Sequence, residues 1–599
     1  MRYGITDAYT EELRVVLADG SLIHTREIVL DSAEYERIVD RDDREAAIYR
    51  TVRGLVDDHA EEIDRRYPEL KRCVSGYNLH KVIYENDDGD RVINLSKLFV
   101  GAEGTLGVVV EADLSLVTKP ESTALAVYCF DDLVDAMRAV LVALELPVSA
   151  VELMDDEVFE LAADSEEFAR YAEPIPDGTA AALMLEWDSE LVDDFERAVD
   201  EASTRLLGTE GAAASGSGSG AGTDVPASGA AFDVLEAYAD EAQRDPWKLR
   251  KAAIPLLMSL EGDAKPYPFI EDASVPPAEL AEYVSEFQDV LADHGTSAAY
   301  FAHAGSGTLH IRPILSLNEE SGIETMHSIA DDVTDLVIEH HGAFSGEHGD
   351  GLARTEFNPK MYGEQLWTAF RELKSAFDPD WRMNPGKAVY VDRETAAERE
   401  YPETAADTDM RERLRYGADY QSIEPTTALD FSEEGGFAHL VELCNGCGTC
   451  RQMDSGTMCP TYRASREEIQ TTRGRANMLR AAISGELDGA EIHSDRFQEE
   501  VLDLCVGCKG CQSDCPTGVD LAKLKAEVKH EHHRRDGASL RERLFRDIDR
   551  YASLGSSLAP VSNVIASLLQ RDCVVTGRWT NSGGRARRLR RAGAATVPA

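Results

Sequence analysis

The stretch CVGCKGCQSDCP, residues 505–516, decides how the C-terminal part of this 599-residue chain folds, because it holds four of the 11 cysteines. A second run, CNGCGTCRQMDSGTMCP at 444–460, repeats three cysteines spaced three apart and a later cysteine before proline. Three thiolates at this spacing bind one [4Fe–4S] cluster, and the cysteine before proline ligates the other cluster of a pair. We therefore predict one cluster on Cys444, Cys447, Cys450 and Cys515, and another on Cys505, Cys508, Cys511 and Cys459.

Zinc is the alternative metal for these cysteines, since paired CxxC motifs also supply four tetrahedral thiolates. Two CxxCxxC runs that each end in Cys-Pro exceed what zinc requires. The segment between them contains a helical pattern, TTRGRANMLRAAISGEL at 471–487. This arrangement predicts two clusters mounted on helices, as in helical ferredoxin domains, which conduct single electrons and do not select a substrate.

The composition excludes some classes of protein. The chain has 111 acidic and 61 basic residues, a net charge of −50, so it lacks the basic footprint of a nucleic-acid-binding protein. The acidic excess is typical of proteins adapted to concentrated salt, with an ordinary acidic protein as the alternative. No basic and apolar leader and no run of 18 apolar residues occur. We expect a cytoplasmic protein without a transmembrane segment, with peripheral placement at the inner face of the membrane as the alternative.

The apolar patterns predict an α+β protein with several domains. The first domain alternates strand-like runs, such as RVINL, with one long amphipathic helix around 43–64. The second alternates strands and helices, which suits an antiparallel sheet with helices on one face. The predicted domains are an α+β unit at 1–121, a second α+β unit at 122–390 with a flexible loop at 211–230, an acidic linker at 391–435, an all-α ferredoxin domain at 436–535, and a helical segment with a disordered basic tail at 536–599.

Two histidine motifs, HAGSGTLHIRP and SGEHGDG, mark a candidate metal centre. His303 and His310 lie seven apart around two glycines, and Glu347 and His348 lie between glycines. Two imidazoles and a carboxylate leave positions on a divalent ion open for the hydroxyl and carboxylate of a substrate. His348 is then the natural general base. The alternative is that the two histidines are structural.

These motifs resemble the FAD-linked 2-hydroxy-acid oxidase and dehydrogenase family, which includes D-lactate dehydrogenase, glycolate oxidase and D-2-hydroxyglutarate dehydrogenase. The likeness is greatest to its large members, which are fused to an iron–sulfur module, and it covers about residues 1–535. It implies that 1–121 is the C-terminal part of an FAD-binding domain of the vanillyl-alcohol-oxidase type and that 122–390 is the substrate domain. Further segments that carry the resemblance are SGYNLHKVI (75–83), LFVGAEGTLGVVVEADLSLV (98–117), WKLRKAAIP (247–255), IEDASVP (270–276) and FDPDWRMNPGK (377–387).

Position by position, the resemblance also implies roles for single residues. Arg250 in WKLRK corresponds to an arginine that pairs with the substrate carboxylate. The two histidines and Glu347 correspond to ligands of Zn, Mn or Fe, and His348 corresponds to the base beside the flavin. Ser306 and Thr308 stand where the family has acidic and amide residues, which bears on the identity of the metal. The residues implied to contact FAD are Ser75, Gly76, Tyr77, Gly101, Glu103, Gly104, Thr105 and Gly107.

The function implied by the resemblance is oxidation of a D-2-hydroxy acid, such as D-lactate, D-2-hydroxyglutarate or glycolate, to the 2-oxo acid. Electrons would pass from FAD through the two clusters to a quinone or an electron-transfer protein. Because the first residues resemble the middle of the family's FAD domain, we expect an internal portion of a longer enzyme. Its origin would be a mis-set start, a fragmented gene or a split subunit, and in the last case a partner chain would supply the loop that binds the FAD pyrophosphate. Two alternatives stay open: an iron–sulfur subunit like that of anaerobic glycerol-3-phosphate dehydrogenase, and an inactive truncated product.

Overall fold

The structure is a computed structural model, and the predicted basic tail, Cys573 and all but the last residue of the predicted loop at 211–230 lie outside the residues it describes. The described residues are 2–164, 168–208, 230–258, 260, 262–406, 408–414, 420–453, 456–488, 490–559, 561, 563 and 564.

The N-terminal part of the chain forms an α+β unit around two small antiparallel sheets. Its strands are β1 (Thr10–Val16), β2 (Leu22–Thr25), β3 (Glu27–Val29), β4 (Ile83–Glu85), β5 (Arg91–Asn94) and β6 (Val108–Leu114). Its helices are α1 (Ala33–Val39), α2 (Arg44–Asp58), α3 (Ala60–Arg66), α4 (Leu79–Val82) and α5 (Ser96–Phe99). β1 lies between β2 and β6, and β5 lies between β3 and β4. The single helix predicted around 43–64 is two helices, α2 and α3, which meet at His59.

Strand β6 lies at the edge of its sheet and is exposed along its whole length. Val108, Val109 and Val110 are 55, 46 and 57% exposed. Consecutive residues of a strand face opposite sides of the sheet. Both faces of β6 and its unpaired edge are therefore open in the part of the chain that the structure describes.

The second unit is built on one seven-stranded sheet in which all neighbouring strands that the structure pairs are antiparallel. Its strands are β7 (Thr123–Phe130), β8 (Ala150–Asp155), β9 (Ala181–Asp188), β10 (Asp233–Ala237), β11 (Lys265–Pro266), β12 (Ala298–His303) and β13 (Thr308–Leu315). Their order is β10-β7-β9-β8-β12-β13-β11. The predicted α+β class with an antiparallel sheet is confirmed.

Helices cover both faces of this sheet, so the prediction of helices on one face is wrong. The helices of this unit are α6 (Leu133–Leu144), α7 (Asp156–Ala163), α8 (Ala169–Ala172), α9 (Phe195–Leu206), α10 (Asp240–Leu257), α11 (Leu280–Asp293), α12 (Glu320–Glu339), α13 (Gly351–Arg354), α14 (Asn358–Phe377) and α15 (Arg393–Glu398). Ala126 and Tyr128 of β7 share a core with α6, α9 and α11, whereas Leu125 and Val127 share a second core with α7, α8 and α10. The unbroken apolar run ALAVYCF in β7 is the pattern of a strand buried on both sides.

The two α+β units share one core, because α14 packs against α2 and α3. The stretch after the sheet continues on this core, where Val391, Ala396, Ala405 and Met410 are buried. These small and apolar residues occur within the otherwise acidic segment because they pack against this core.

The cysteine-rich part has a core of its own and is helical, as predicted. Its helices are α16 (Phe437–Glu442), α17 (Pro460–Ser465), α18 (Thr472–Ile483), α19 (Asp495–Phe497), α20 (Gly510–Asp514), α21 (Leu521–Asp536), α22 (Leu540–Arg546) and α23 (Ile548–Ser557), with a π-helical turn at Gln498–Leu502. Among the described residues, no helix combines the length and apolar character needed to cross a bilayer.

Candidate active site and iron–sulfur ligands

A buried carboxylate, Asp272, holds the SGEHGDG loop in place. Its Oδ2 accepts hydrogen bonds from Ser345 Oγ at 2.5 Å and from the backbone amides of Glu347 and His348 at 3.0 and 2.7 Å. Asp272 itself adopts a left-handed backbone conformation with φ of 77° and is fully buried. The loop conformation therefore presents Glu347 and His348 side by side above the sheet.

The predicted metal ligands converge on one point. His303 ends β12 and His310 lies on β13, and this antiparallel hairpin brings their ring centroids to 5.0 Å. Oε1 of Glu347 lies 3.2 Å from Nε2 of His303 and 3.3 Å from Nε2 of His310. Ligand atoms that share an ion with bonds of about 2.1 Å lie about 3.0–3.4 Å apart. Glu347 therefore contacts both imidazoles, whereas the side chains here whose possible ligand atoms all lie within 4.8 Å of one another are Asp272, His310, Glu347 and His348.

Two further charged residues surround these ligands. Arg72 donates to Oε2 of Glu347 at 2.6 Å, and Nδ1 of His303 lies 2.8 Å from the buried carboxylate of Glu152. Burial alone would raise the pKa of Glu347 and lower that of His303, but their mutual bond and their other charged partners outweigh it. The pKa of Glu347 is therefore well below its usual range, and that of His303 is raised. Burial lowers the pKa of His310, which favours the neutral form that binds metals.

His348 lies next to the ligands with its ring stacked on His310, at a centroid distance of 5.3 Å and an angle of 22°. Its Nδ1 is 3.4 Å from Oε1 of Glu271, whose other oxygen is 2.6 Å from Nε of Arg312. The bond to Glu271 raises the pKa of His348, and its side chain is 43% exposed. A carboxylate on Nδ1 orients an imidazole so that Nε2 can exchange a proton with a substrate.

Arg250 lies on α10 at the wall of a cavity of about 600 Å³ that also reaches His303. Its guanidinium is 3.1 Å from Oε2 of Glu152 and lies over the ring of Phe301 at 5.0 Å. The side chain is only 11% exposed, so it is a wall residue of the cavity and not a surface residue of the helix. Other basic residues that line the cavity are Arg2, Arg72 and Lys251.

Three of the eight residues that the resemblance assigns to FAD bond to the SGEHGDG loop. Ser75 Oγ accepts from the Ser345 amide at 2.9 Å, the Gly76 amide donates to Asp350 Oδ2 at 2.7 Å, and Glu103 accepts from the Asp350 amide at 2.8 Å. These bonds position the loop that carries His348.

The rest of this predicted set packs internally, with one exception. Tyr77 and Thr105 are buried and bonded to each other at 2.8 Å. A Cβ on Gly101 would lie 3.2 Å from the side chain of Val74. A Cβ on Gly107 would lie 2.5 Å from the side chain of Val15. Gly104, with φ of 71°, has open space where its Cβ would be. Of the glycines in the set, it is the one with no neighbouring atom within 4 Å of that position.

Cys459 joins the cysteines of the second motif around one small cavity. The four cysteines that line this cavity are Cys459, Cys505, Cys508 and Cys511. Four thiols facing one enclosed space are the donor set of a [4Fe–4S] cluster.

The other cysteine set lies toward the oxidase unit. Cys444 and Cys447 line a cavity of about 380 Å³ together with Arg312, the arginine that pairs with Glu271. Cys450 is buried, and Cys444 and Cys515 pack against the same core. Because Arg312 lines this cavity and pairs with Glu271, Cys444 and Cys447 lie near the carboxylate that contacts His348. Cys73 and Cys129 are buried elsewhere, and burial raises the pKa of each thiol to about 11.

Comparison with known proteins defines the class. Residues 119–388 match the family of FAD linked oxidases, C-terminal domain, and residues 440–519 match the 4Fe-4S dicluster domain. The chain thus combines an FAD-linked oxidase domain with a domain for two iron–sulfur clusters. These matches confirm the resemblance over the two matched segments and the prediction of a domain with two iron–sulfur clusters.

Proteins similar to the chain include some named as D-2-hydroxyglutarate dehydrogenase and as glycolate oxidase subunit. The chain is 28% identical to the D-2-hydroxyglutarate dehydrogenase of Pantoea ananatis over 94% of this chain and 55% of that protein. It is 27% identical to the D-2-hydroxyglutarate dehydrogenase of Escherichia coli over 92% of this chain and 54% of that protein. The glycolate oxidase subunit GlcD of Bacillus subtilis is 28% identical over 65% of each chain. The chain spans about half the length of the two dehydrogenases.

Proposed function

We propose that this chain oxidises a D-2-hydroxy acid to the 2-oxo acid and passes the electrons from FAD through two [4Fe–4S] clusters. The observation that carries the proposal is that Glu347 contacts both His303 and His310, with His348 stacked on His310, and that His303 also lines the cavity that contains Arg250. The relatives named as D-2-hydroxyglutarate dehydrogenases support the same reaction class.

His303, His310 and Glu347 would hold a divalent ion, with Zn, Mn and Fe as the candidates. Such an ion supplies a Lewis acid for the hydroxyl oxygen of the substrate. Ser306 and Thr308, which differ from the family pattern, bond to protein atoms instead. Ser306 Oγ donates to the carbonyl of His303 at 3.0 Å, and Thr308 Oγ1 is 2.8 Å from Ser274 Oγ. The proposed ligand set is therefore the two imidazoles and one carboxylate.

His348 is proposed as the general base for the hydroxyl proton. Glu271 holds its Nδ1, and Asp272 holds its backbone amide, so the imidazole has a fixed direction. FAD, when bound, accepts the hydride from the substrate Cα. A positive charge on His348 after proton transfer would be stabilised by Glu271 at 3.4 Å.

The cavity of Arg250 is lined by four basic residues and by Glu152, Glu186 and Asp188, and we propose that two of the basic residues bind a substrate with two carboxylates. Arg250 and Arg72 are already paired with Glu152 and Glu347, so each has a carboxylate partner before substrate binds. Lys251 lies on the same wall and has no ion-pair partner among the described residues. We assign Arg250 to the carboxylate next to the hydroxyl and Lys251 to a second carboxylate, as in D-2-hydroxyglutarate.

The exposed strand β6 supports a further part of the proposal. An open edge with apolar residues on both faces is a template for pairing with another strand. Val108, Val109 and Val110 would be covered by such a strand. We propose that a strand from a partner chain pairs with β6 and brings the FAD-pyrophosphate loop to the open side of Gly104. Electrons would leave the clusters for a quinone or an electron-transfer protein.

Anaerobic production of the chain with FAD, followed by dye reduction with D-2-hydroxyglutarate, D-lactate and glycolate, tests the function. We expect about eight irons per chain and dye reduction that is fastest with D-2-hydroxyglutarate. A flavin-loaded, iron-replete protein that reduces no dye with any of the three acids would contradict the proposal. Iron-replete protein that binds no flavin would instead favour the partner-dependent form, which a strand-pairing partner should restore.

A second reading, an iron–sulfur subunit that only conducts electrons, leaves the oxidase domain without a use. The match over 119–388 and the convergence of His303 and Glu347 both argue against it.

A further inference from the structure

Arg475 is fully buried inside the iron–sulfur domain. It lies on α18, and its guanidinium is 0% exposed. Its Nε donates to the carbonyl of Val501 at 2.8 Å and its Nη1 to the carbonyl of Gln470 at 2.7 Å. Both terminal nitrogens also lie 3.3 Å from Thr461 Oγ1. All these acceptors are neutral, so hydrogen bonds satisfy the guanidinium but leave its charge without a partner.

No carboxylate of the described residues lies within ion-pair distance of Arg475. Arg473, two residues earlier on the same helix, provides the contrast. Its guanidinium is partly exposed and lies 2.7 Å from Glu468. A buried charge without a counter-charge is strongly destabilising, because it loses its hydration and gains no Coulomb attraction. The fold therefore requires an anion close to Arg475.

The Cys459 sulfur lies beside the Arg475 guanidinium. This Sγ is 3.7 Å from Nη1 of Arg475, within the distance for a hydrogen bond to sulfur. Cys459 also lines the small cavity that contains the second cysteine motif. A [4Fe–4S] cluster with four thiolate ligands carries a net negative charge. This cluster is therefore the missing counter-charge of Arg475.

A second cation lies near the same cavity. Lys525 donates to the carbonyl of Cys505 at 2.6 Å, and burial lowers its pKa. The cysteine set near the oxidase unit also has neighbouring cations: Arg473 donates to the carbonyl of Gly446 at 2.7 Å, and Lys265 and Arg312 line the cavity of Cys444 and Cys447, where Arg312 is paired with Glu271. Because Arg473 is paired with Glu468, its net effect on a cluster is smaller than that of Arg475.

We propose that Arg475 is the counter-ion of the cluster on Cys459, Cys505, Cys508 and Cys511, and that it sets the reduction potential of this cluster above that of the other. Cluster reduction adds one electron and makes the site more negative, so a nearby fixed cation stabilises the reduced form. Single electrons that arrive at the domain therefore collect on this cluster. The inference rests on the proposed cluster ligands but not on the substrate.

Arg475→Gln in the full chain, reconstituted with iron and sulfide, tests the proposal by redox titration followed by electron paramagnetic resonance. Dithionite is the reductant, so the result does not depend on hydroxy-acid oxidation. We expect one midpoint potential to become more negative by a tenfold change in the one-electron equilibrium, about 59 mV, or more. The other midpoint should stay unchanged. Cys459→Ser should alter the spectrum of the same cluster that Arg475→Gln shifts.

Arg473→Gln is the matched control, and it should leave the midpoint of the Cys459 cluster unchanged. If Arg475→Gln moves neither midpoint, both equally, or only that of the other cluster, the proposal is wrong. If Arg475→Gln loses half of the iron, Arg475→Lys decides, because it keeps the charge. A lysine variant with full iron, and with both midpoint potentials within about 59 mV of the wild-type values, supports the proposal. A lysine variant that also loses the cluster, or that shifts its midpoint beyond tenfold, overturns it.

Discussion

One carboxylate oxygen, Oε2 of Glu152, joins His303 to Arg250, because it lies 2.8 Å from Nδ1 of the imidazole and 3.1 Å from Nη2 of the guanidinium. The proposed metal ligand and the proposed substrate-binding arginine are therefore oriented by the same buried side chain. Carboxylates that bond to the second nitrogen of a metal-binding histidine fix its ring and raise its basicity.

Glu152→Gln should weaken metal binding, since the amide keeps the size of the side chain but removes its charge. We expect a loss of about 10–100-fold in affinity for Mn²⁺ or Zn²⁺, measured by equilibrium dialysis. Glu186→Gln is the matched control, because Glu186 lines the same cavity but accepts from Ser149 at 2.9 Å. Equal affinities for wild-type and Glu152→Gln protein would contradict the positioning role.

His303→Ala should weaken the binding of one divalent ion per chain, because it removes one of the three proposed ligands. Metal analysis of the iron-replete protein measures this ion separately from iron when Mn²⁺ or Zn²⁺ is supplied. His327→Ala provides the control, since His327 lies in a separate group with Glu356 at 3.0 Å and Asp409. If His303→Ala retains the ion and His327→Ala loses it, the metal binds at the His327 group and the proposed site at His303 is wrong.

Lys251→Gln should raise KM for D-2-hydroxyglutarate about 10–100-fold, because a charge-assisted hydrogen bond to a second carboxylate contributes about 1.5–3 kcal/mol. KM for D-lactate, which has one carboxylate, should stay within about twofold. Lys248→Gln, on the same helix, is the control because Lys248 contacts Tyr171 at 3.1 Å. An equal rise in KM for both substrates would show that Lys251 does not bind the second carboxylate.

Asp155 should make the stability of the sheet fall as pH rises. Burial raises its pKa to about 8 despite its bond from the Tyr300 amide at 2.5 Å. The folded state therefore binds a proton that the unfolded state releases near pH 4, and stability falls as pH rises toward 8. Asp155→Asn should flatten this dependence between pH 5 and 8 and increase the free energy of unfolding at pH 8 by on the order of 1–3 kcal/mol. Denaturant titrations at both pH values measure the change, and an unaltered slope would contradict it.

The sequence predicts the site where local spacing carries the signal. Cysteines at fixed spacing and histidines between glycines identify their own motifs; the structure groups Cys459 with Cys505, Cys508 and Cys511, and His303 with Glu347. Glu152 was missed, although a carboxylate inside the apolar run AVELMD is a detectable signal. Arg72 and Glu347 are 275 positions apart, and Arg72 has no local pattern that distinguishes it.

Part of the fold also depends on contacts that sequence patterns do not contain. The strands and most helices follow the apolar periodicity, but which helices cover which face of the sheet is set by long-range packing. The FAD-linked glycines were assigned to the cofactor, whereas Gly101 and Gly107 allow close approach to Val74 and Val15. Closely spaced glycines indicate that the backbone packs against another group, but they do not show whether that group is a cofactor or a protein side chain.

Flavin reduction by substrate in His348→Ala protein tests the central claim most directly. The measurement is anaerobic stopped-flow absorbance of FAD-loaded protein mixed with D-2-hydroxyglutarate, with iron content and the response to dithionite measured on the same sample. The account predicts that substrate-dependent flavin bleaching is lost while the iron–sulfur absorbance and its reduction by dithionite stay intact. Flavin bleaching at the wild-type rate in His348→Ala protein would contradict the assignment of His348 as the base.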